Sequence, residues 1–151
     1  MEQKTIWMPY LQIGAIFSIL LLFNACKKGK TEYERSPVFH IINATSHQIN
    51  FDAYPNTYNI KANSSITIEE NQVVEGKENN SFNYSSPYKK YDNSPTTIRF
   101  DQIKCLVMQT ESSEHSITNI NSFIAENIDR YNYKFTYTFT EADYNRAVTC
   151  P

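Results

Sequence analysis

Tyr131-Asn132-Tyr133-Lys134-Phe135-Thr136-Tyr137-Thr138-Phe139 alternates ring and polar residue without a break. Successive side chains of a strand point to opposite faces, so this period of two puts all five aromatics on one side. A helix would scatter them around its axis. The stretch reads as an interior strand with one aromatic face turned to a core. An exposed row of Tyr rings stacking on sugars is the competing reading. Thr140 then stands as a helix N-cap, with Asp143 three residues on in a capping-box position. Residues 141–147 read as about two turns of helix that pack Tyr144 or Ala147 back on the sheet.

The same alternation recurs upstream in shorter pieces. Val38 to Asn43 is a strand, and Ala44-Thr45-Ser46-His47 turns the chain. Ile49, Phe51 and Ala53 then alternate with Asn50, Asp52 and Tyr54. Tyr58 to Lys61 is a further short strand, and Asn63-Ser64-Ser65 turns into Ile66-Thr67-Ile68. Residues 71–80 are polar and read as loop. Thr97–Phe100 and Ile103–Met108 form a second hairpin around Asp101-Gln102, with Ile103, Cys105 and Val107 on a common face. The fold expected is all-β: a single antiparallel β-sandwich of about seven strands with a short C-terminal helix. A small β-barrel is the alternative. No helix of crossover length separates the strands, which disfavours a parallel α/β sheet.

The front of the chain differs in kind. Leu11 to Phe23 is apolar except for Gln12, Gly14 and Ser18, the length of a signal-peptide core and short of the roughly 20 residues that span a bilayer. It ends in Leu21-Leu22-Phe23-Asn24-Ala25-Cys26, a small residue directly before a cysteine. That arrangement resembles the lipobox of bacterial lipoproteins, with Phe23 where a Leu is common. Counting back to Ile6 gives a longer apolar run, so an uncleaved anchor stays open beside it. The resemblance divides the chain into residues 1–25, a lipoprotein signal peptide; 26–36, a lipidated flexible tether; and 37–151, the sandwich domain. It implies diacylglycerol on Cys26 and attachment to a membrane through that lipid. Lys27, Lys28 and Lys30 follow the cysteine, a basic start that points to the outer membrane, facing the periplasm. The Asn-, Tyr- and Lys-rich body, and the ending Tyr137-Thr138-Phe139-Thr140-Glu141-Ala142-Asp143-Tyr144-Asn145, resemble small lipoproteins of the Bacteroidetes. That resemblance implies no activity.

Lys and Arg number 14 against 16 Asp and Glu, a net charge of −2 that offers no basic face for nucleic acid. With three glycines in 151 residues, glycine-rich phosphate loops are missing. Cys105 and Cys150 remain once Cys26 is assigned to lipid, and in an oxidising compartment they are one candidate disulfide; two buried or free thiols are the alternative. Neither sits in zinc-ligand or Cys-x-x-Cys spacing. His40, His47 and His115 are the only histidines, and a hairpin could bring the first two together. No carboxylate cluster accompanies them, so neither a metal site nor a cofactor is expected. Serines lack a strained nucleophile turn, and Glu69-Glu70 reads as solvated charge at a strand end. No enzyme is expected. The best recognition candidate is the loop Phe82-Asn83-Tyr84-Ser85-Ser86-Pro87-Tyr88-Lys89-Lys90-Tyr91, whose Phe82, Tyr84, Tyr88 and Tyr91 alternate with adaptable polar residues. The expectation is a membrane-anchored, non-catalytic envelope module that binds a protein partner or, alternatively, a glycan.

Overall fold

The computed structural model describes residues 32–75, 80–90, 92, 94–109, 115–129 and 132–151. The expected signal peptide, the expected lipid site Cys26 and most of the expected tether lie outside them, as do Tyr91 and Tyr131.

Eleven strands and one short helix are present among the described residues: β1 (Glu32–Arg35), β2 (Val38–Asn43), β3 (Ile49–Ala53), β4 (Asn56–Ile60), β5 (Ser64–Glu69), β6 (Gln72–Glu75), β7 (Thr96–Phe100), β8 (Lys104–Met108), β9 (Ile124–Asn127), β10 (Tyr133–Phe139), α1 (Glu141–Arg146) and β11 (Val148–Thr149). They form one four-stranded sheet in the order β5-β2-β10-β9, one five-stranded sheet in the order β11-β8-β7-β3-β4, and a ribbon of β1 with β6. The sheets are open rather than closed, so the fold is a sandwich and not the barrel.

β10 is the strand its alternation predicts. Phe135, Tyr137 and Phe139 are buried, and Lys134, Thr136 and Thr138 turn outward. Its inner face meets the other sheet: Phe139 lies 6.3 Å from Phe51 on β3 and 6.4 Å from Phe100 on β7, measured between ring centroids. β2 offers Phe39, Ile41 and Asn43 to the same interior. Each fully buried large apolar side chain is worth roughly 1.5–3 kcal/mol over exposure, and this interior is built mainly of them.

Four features depart from expectation. β10 pairs with β2 in parallel, Phe135 opposite Phe39 and Tyr137 opposite Ile41, in otherwise antiparallel sheets. The chain between them runs through β3 to β9, including four of the five strands of the second sheet, rather than through a crossover helix. The second departure is that residues 32–35 of the expected tether form β1. They pair antiparallel with residues 72–75 of the expected loop, Tyr33 opposite Val74. Four charged or polar residues carry no apolar period, so only tertiary pairing marks them as strands. The third is β9, whose residues are all exposed and which has no buried face to announce it.

The fourth concerns β8. Ile98 and Phe100 of β7 point inward, and the register sets Ile98 opposite Leu106 and Arg99 opposite Cys105. The inward phase of β8 is therefore Leu106 and Met108, while Ile103, Cys105 and Val107 lie on the outer side. The three do share a face, as expected, but it is the outer one. Cys105 is nonetheless covered, because Cys150 bonds to it across β11 with the Cα atoms 4.9 Å apart. The disulfide is formed.

Turns follow their chemistry. Asp101 and Gln102 both take positive φ, 50° and 59°, at the centre of the tight turn closed by the Ile103 amide on the Phe100 carbonyl at 2.9 Å. The Asp101 carboxylate accepts from the Gln48 amide at 2.8 Å and so ties this hairpin to the β2–β3 turn. Asn43 is fully buried yet satisfied. Its amide nitrogen donates to the carbonyls of His47, Ile60 and Lys61, and its oxygen accepts from the amide and hydroxyl of Thr45. α1 carries the expected capping interaction, the Thr140 amide donating to Asp143 at 2.8 Å. Both Tyr144 and Ala147 pack on the core.

Candidate functional site

The Phe82–Tyr91 loop divides once folded. Tyr84 is 3% exposed and Tyr88 fully buried, so neither is a contact residue. Tyr84 packs on Phe135 at 5.3 Å, and Tyr88 lies edge-on to Phe51 and Tyr58, each at 5.5 Å. Side-chain hydroxyls pin the loop in this inserted position. Ser86 Oγ donates to the Ile117 carbonyl at 2.6 Å and Thr96 Oγ1 to the Tyr88 carbonyl at 3.1 Å. The segment plugs one opening of the sandwich. Burial pushes the Tyr88 hydroxyl well above its ordinary pKa, and this hydroxyl has no hydrogen-bond partner among the described residues. Of the expected contact residues that are described, only Phe82 stands in solvent, at a hollow lined also by Ile120, Phe123, Ala125 and Phe135.

With Tyr88 turned inward, its neighbours Pro87, Lys89 and Lys90 are left on the surface beside the β3–β4 turn. That turn is Tyr54-Pro55, joined by a cis peptide, and Tyr54 is 96% exposed. Together Ala53, Tyr54, Pro87, Lys89, Lys90 and Asp92 line an open groove of about 400 Å³. The size falls within the roughly 300–1,000 Å³ of small-ligand clefts. The Asp92 carboxyl is held below its ordinary range by its hydrogen bonds with Ser94, the charge of Lys90 adding to this only slightly. The ammoniums of Lys89 and Lys90 make no ion pair with the described residues. An aromatic ring, two ammoniums and a carboxylate thus share one rim.

Of the rings expected to carry recognition in this loop, Tyr84 and Tyr88 are buried, and the ring exposed at the groove is Tyr54, outside the loop. The signal was present. Tyr54 falls on the outward phase of β3, with Asn50 and Asp52, immediately before Pro55.

The histidines do not converge. His40 Nδ1 lies 2.9 Å from Thr67 Oγ1 on the outside of β2 and β5. His47 Nδ1 meets Asp101 at 2.5 Å, with its ring stacked on Tyr144 at 3.6 Å. This contact and the Gln48 amide hold the Asp101 carboxyl below its usual range. His115 stacks on Tyr137, its Nδ1 lying 3.1 Å from the Tyr137 hydroxyl and 3.5 Å from buried Asp143. Asp143 also binds Arg146 at 2.6 Å, and the neighbouring Ser116 hydroxyl is engaged with Thr118. This cluster fastens α1 to the sheet. Among the described residues, no three His, Cys, Asp or Glu side chains stand together as metal ligands would. Glu70 is partly buried and its carboxyl is raised by desolvation; Glu69, its neighbour in the sequence, is exposed.

No family model, no curated protein and no solved structure matches this chain.

Proposed function

We propose that the protein is a lipid-anchored, non-catalytic binding module of the bacterial cell envelope, held at Cys26 and presenting the Tyr54–Lys89–Lys90 groove as its contact surface. The anchor rests on the sequence ending in Ala25-Cys26 after an apolar leader. The Cys105–Cys150 bridge supports an address outside the cytoplasm, since reducing compartments keep such thiols apart. The outer membrane, facing the periplasm, is the location this reading favours. A binding role is carried by one observation: a 96% exposed aromatic ring on a tight turn beside two ammoniums that make no ion pair with the described residues. The paired strands β3 and β4 hold the backbone that carries the ring, so ligand uptake orders the side chain alone. Cross-linking in intact cells tests the reading. It predicts envelope components attached near Tyr54 and Lys89, and a protein that cross-links only to cytoplasmic material would contradict it.

A further inference from the structure

The groove's chemistry narrows its ligand. Lys89 and Lys90 bring two positive charges against the single negative charge of Asp92, in a chain whose net charge is −2. The groove therefore opposes the sign of the protein that carries it, which favours an anion. A plain polyanion would be repelled by Asp92, whose carboxylate is an acceptor without donors of its own. Hydroxyl groups can instead donate to the acceptor capacity that Ser94 leaves on that carboxylate. Tyr54 adds a flat, apolar surface with a polar rim, which suits the C–H face of a saturated sugar ring. An apolar face, several hydroxyls and one acidic substituent describe a single ligand class.

We infer that the groove between Tyr54 and Lys89–Lys90 binds an acidic pyranose, with the sugar ring on Tyr54, its acidic group at Lys89 and Lys90, and a hydroxyl donating to Asp92. This deepens the binding-module reading and rests on it. The ammoniums supply most of the discrimination between acidic and neutral sugars, and this part weakens with salt because the site is open to water. The ring supplies the preference for a sugar over a charged chain of another kind. Tyr54 lies outside the core, so its removal leaves the sandwich intact.

The test uses the full chain purified from membranes in detergent, titrated with dextran, dextran sulfate, polygalacturonate and polyglutamate. Binding of dextran sulfate or polygalacturonate, in preference to dextran and to polyglutamate, is expected. Tyr54→Ala should weaken that binding about three- to tenfold, with Tyr54→Phe restoring it, as the usual worth of a ring contact implies. Lys89→Gln with Lys90→Gln should abolish the preference for acidic over neutral polymer and flatten the salt dependence. Circular dichroism checks that each variant keeps the wild-type fold. Failure of both acidic sugars to bind, equal binding of dextran, binding of polyglutamate as tight as that of the acidic sugars, or indifference to these substitutions would overturn the assignment. Any of these would leave the anchored-module reading standing, because that reading fails separately, by cross-linking only to cytoplasmic material or by absence of lipid at Cys26.

Discussion

Phe39 on β2 and Phe135 on β10 stack at 5.3 Å with 17° between their ring planes, directly opposite one another across the parallel pair. The first and last long strands of the domain are locked by this contact, with Tyr84 and Phe123 packed around it. Phe135→Ala should therefore cost about 3–5 kcal/mol, a large share of a small domain's stability. Urea denaturation followed by tryptophan-independent circular dichroism would measure it. A loss below about 1 kcal/mol would mean that the parallel pairing is wrong.

Tyr88 and Tyr54 should respond oppositely to truncation. Tyr88→Ala opens a cavity among Phe39, Phe51 and Tyr58 and should destabilise by about 3–5 kcal/mol. Tyr54→Ala should stay within about 0.5 kcal/mol of wild type. Tyr88→Phe is the sharper probe. Its buried hydroxyl has no partner among the described residues, so removing it should leave stability unchanged or raise it. A clear loss on Tyr88→Phe would reveal a partner for that hydroxyl.

The disulfide should act mainly on the unfolded chain. Cys105 sits on the outer side of β8, so replacing it opens little space in the core. Linking residues 45 apart gives about 4 kcal/mol at most in the chain-entropy account. Cys105→Ser with Cys150→Ser should lower the denaturation midpoint by a corresponding amount while leaving the folded spectrum unchanged. Alkylation without reductant should label neither cysteine of the native protein.

Acid should loosen the two hairpin turns that meet at Asp101. The Asp101 carboxyl is depressed in the folded chain by His47 and the Gln48 amide. Its contribution is therefore present above the unfolded value, about pH 4, and is lost as pH falls below that toward the folded value. Asp101→Asn should remove this part of the acid dependence. Melting curves from neutral pH down through the acid range would show it: wild type and variant converge in acid and separate above it. The site is solvent-exposed, so the separation should be small and should shrink with added salt.

Regular alternation made the sandwich legible. β2, β3, β5, β7 and β10 each have one buried face, and a buried face writes itself into the sequence as period two. The capping residues Thr140 and Asp143 marked α1 in the same local way. β1, β6 and β9 were not legible: the first two are strands because of each other, far apart in the chain, and β9 pairs with its neighbour β10 but has no buried face of its own. The outward turn of Cys105 escaped notice for a related reason. Register against β7 decides it, and Ile103 and Val107 are apolar on a side that is largely solvent. The groove was half legible. Interleaved aromatics at residues 82–91 singled out a loop whose Lys89 and Lys90 line the groove, but ring size alone cannot separate a buried ring from an exposed one. Tyr84 and Tyr88 are buried, and the ring exposed at the groove is Tyr54 on a different hairpin.

The anchoring of this domain at Cys26 is tested most directly by feeding cells an alkyne analogue of palmitate and isolating the protein. The account predicts a labelled chain that begins at Cys26 and partitions with membranes, and an unlabelled Cys26→Ala chain released into the soluble fraction. An unlabelled wild-type chain that keeps residues 1–25 would contradict it.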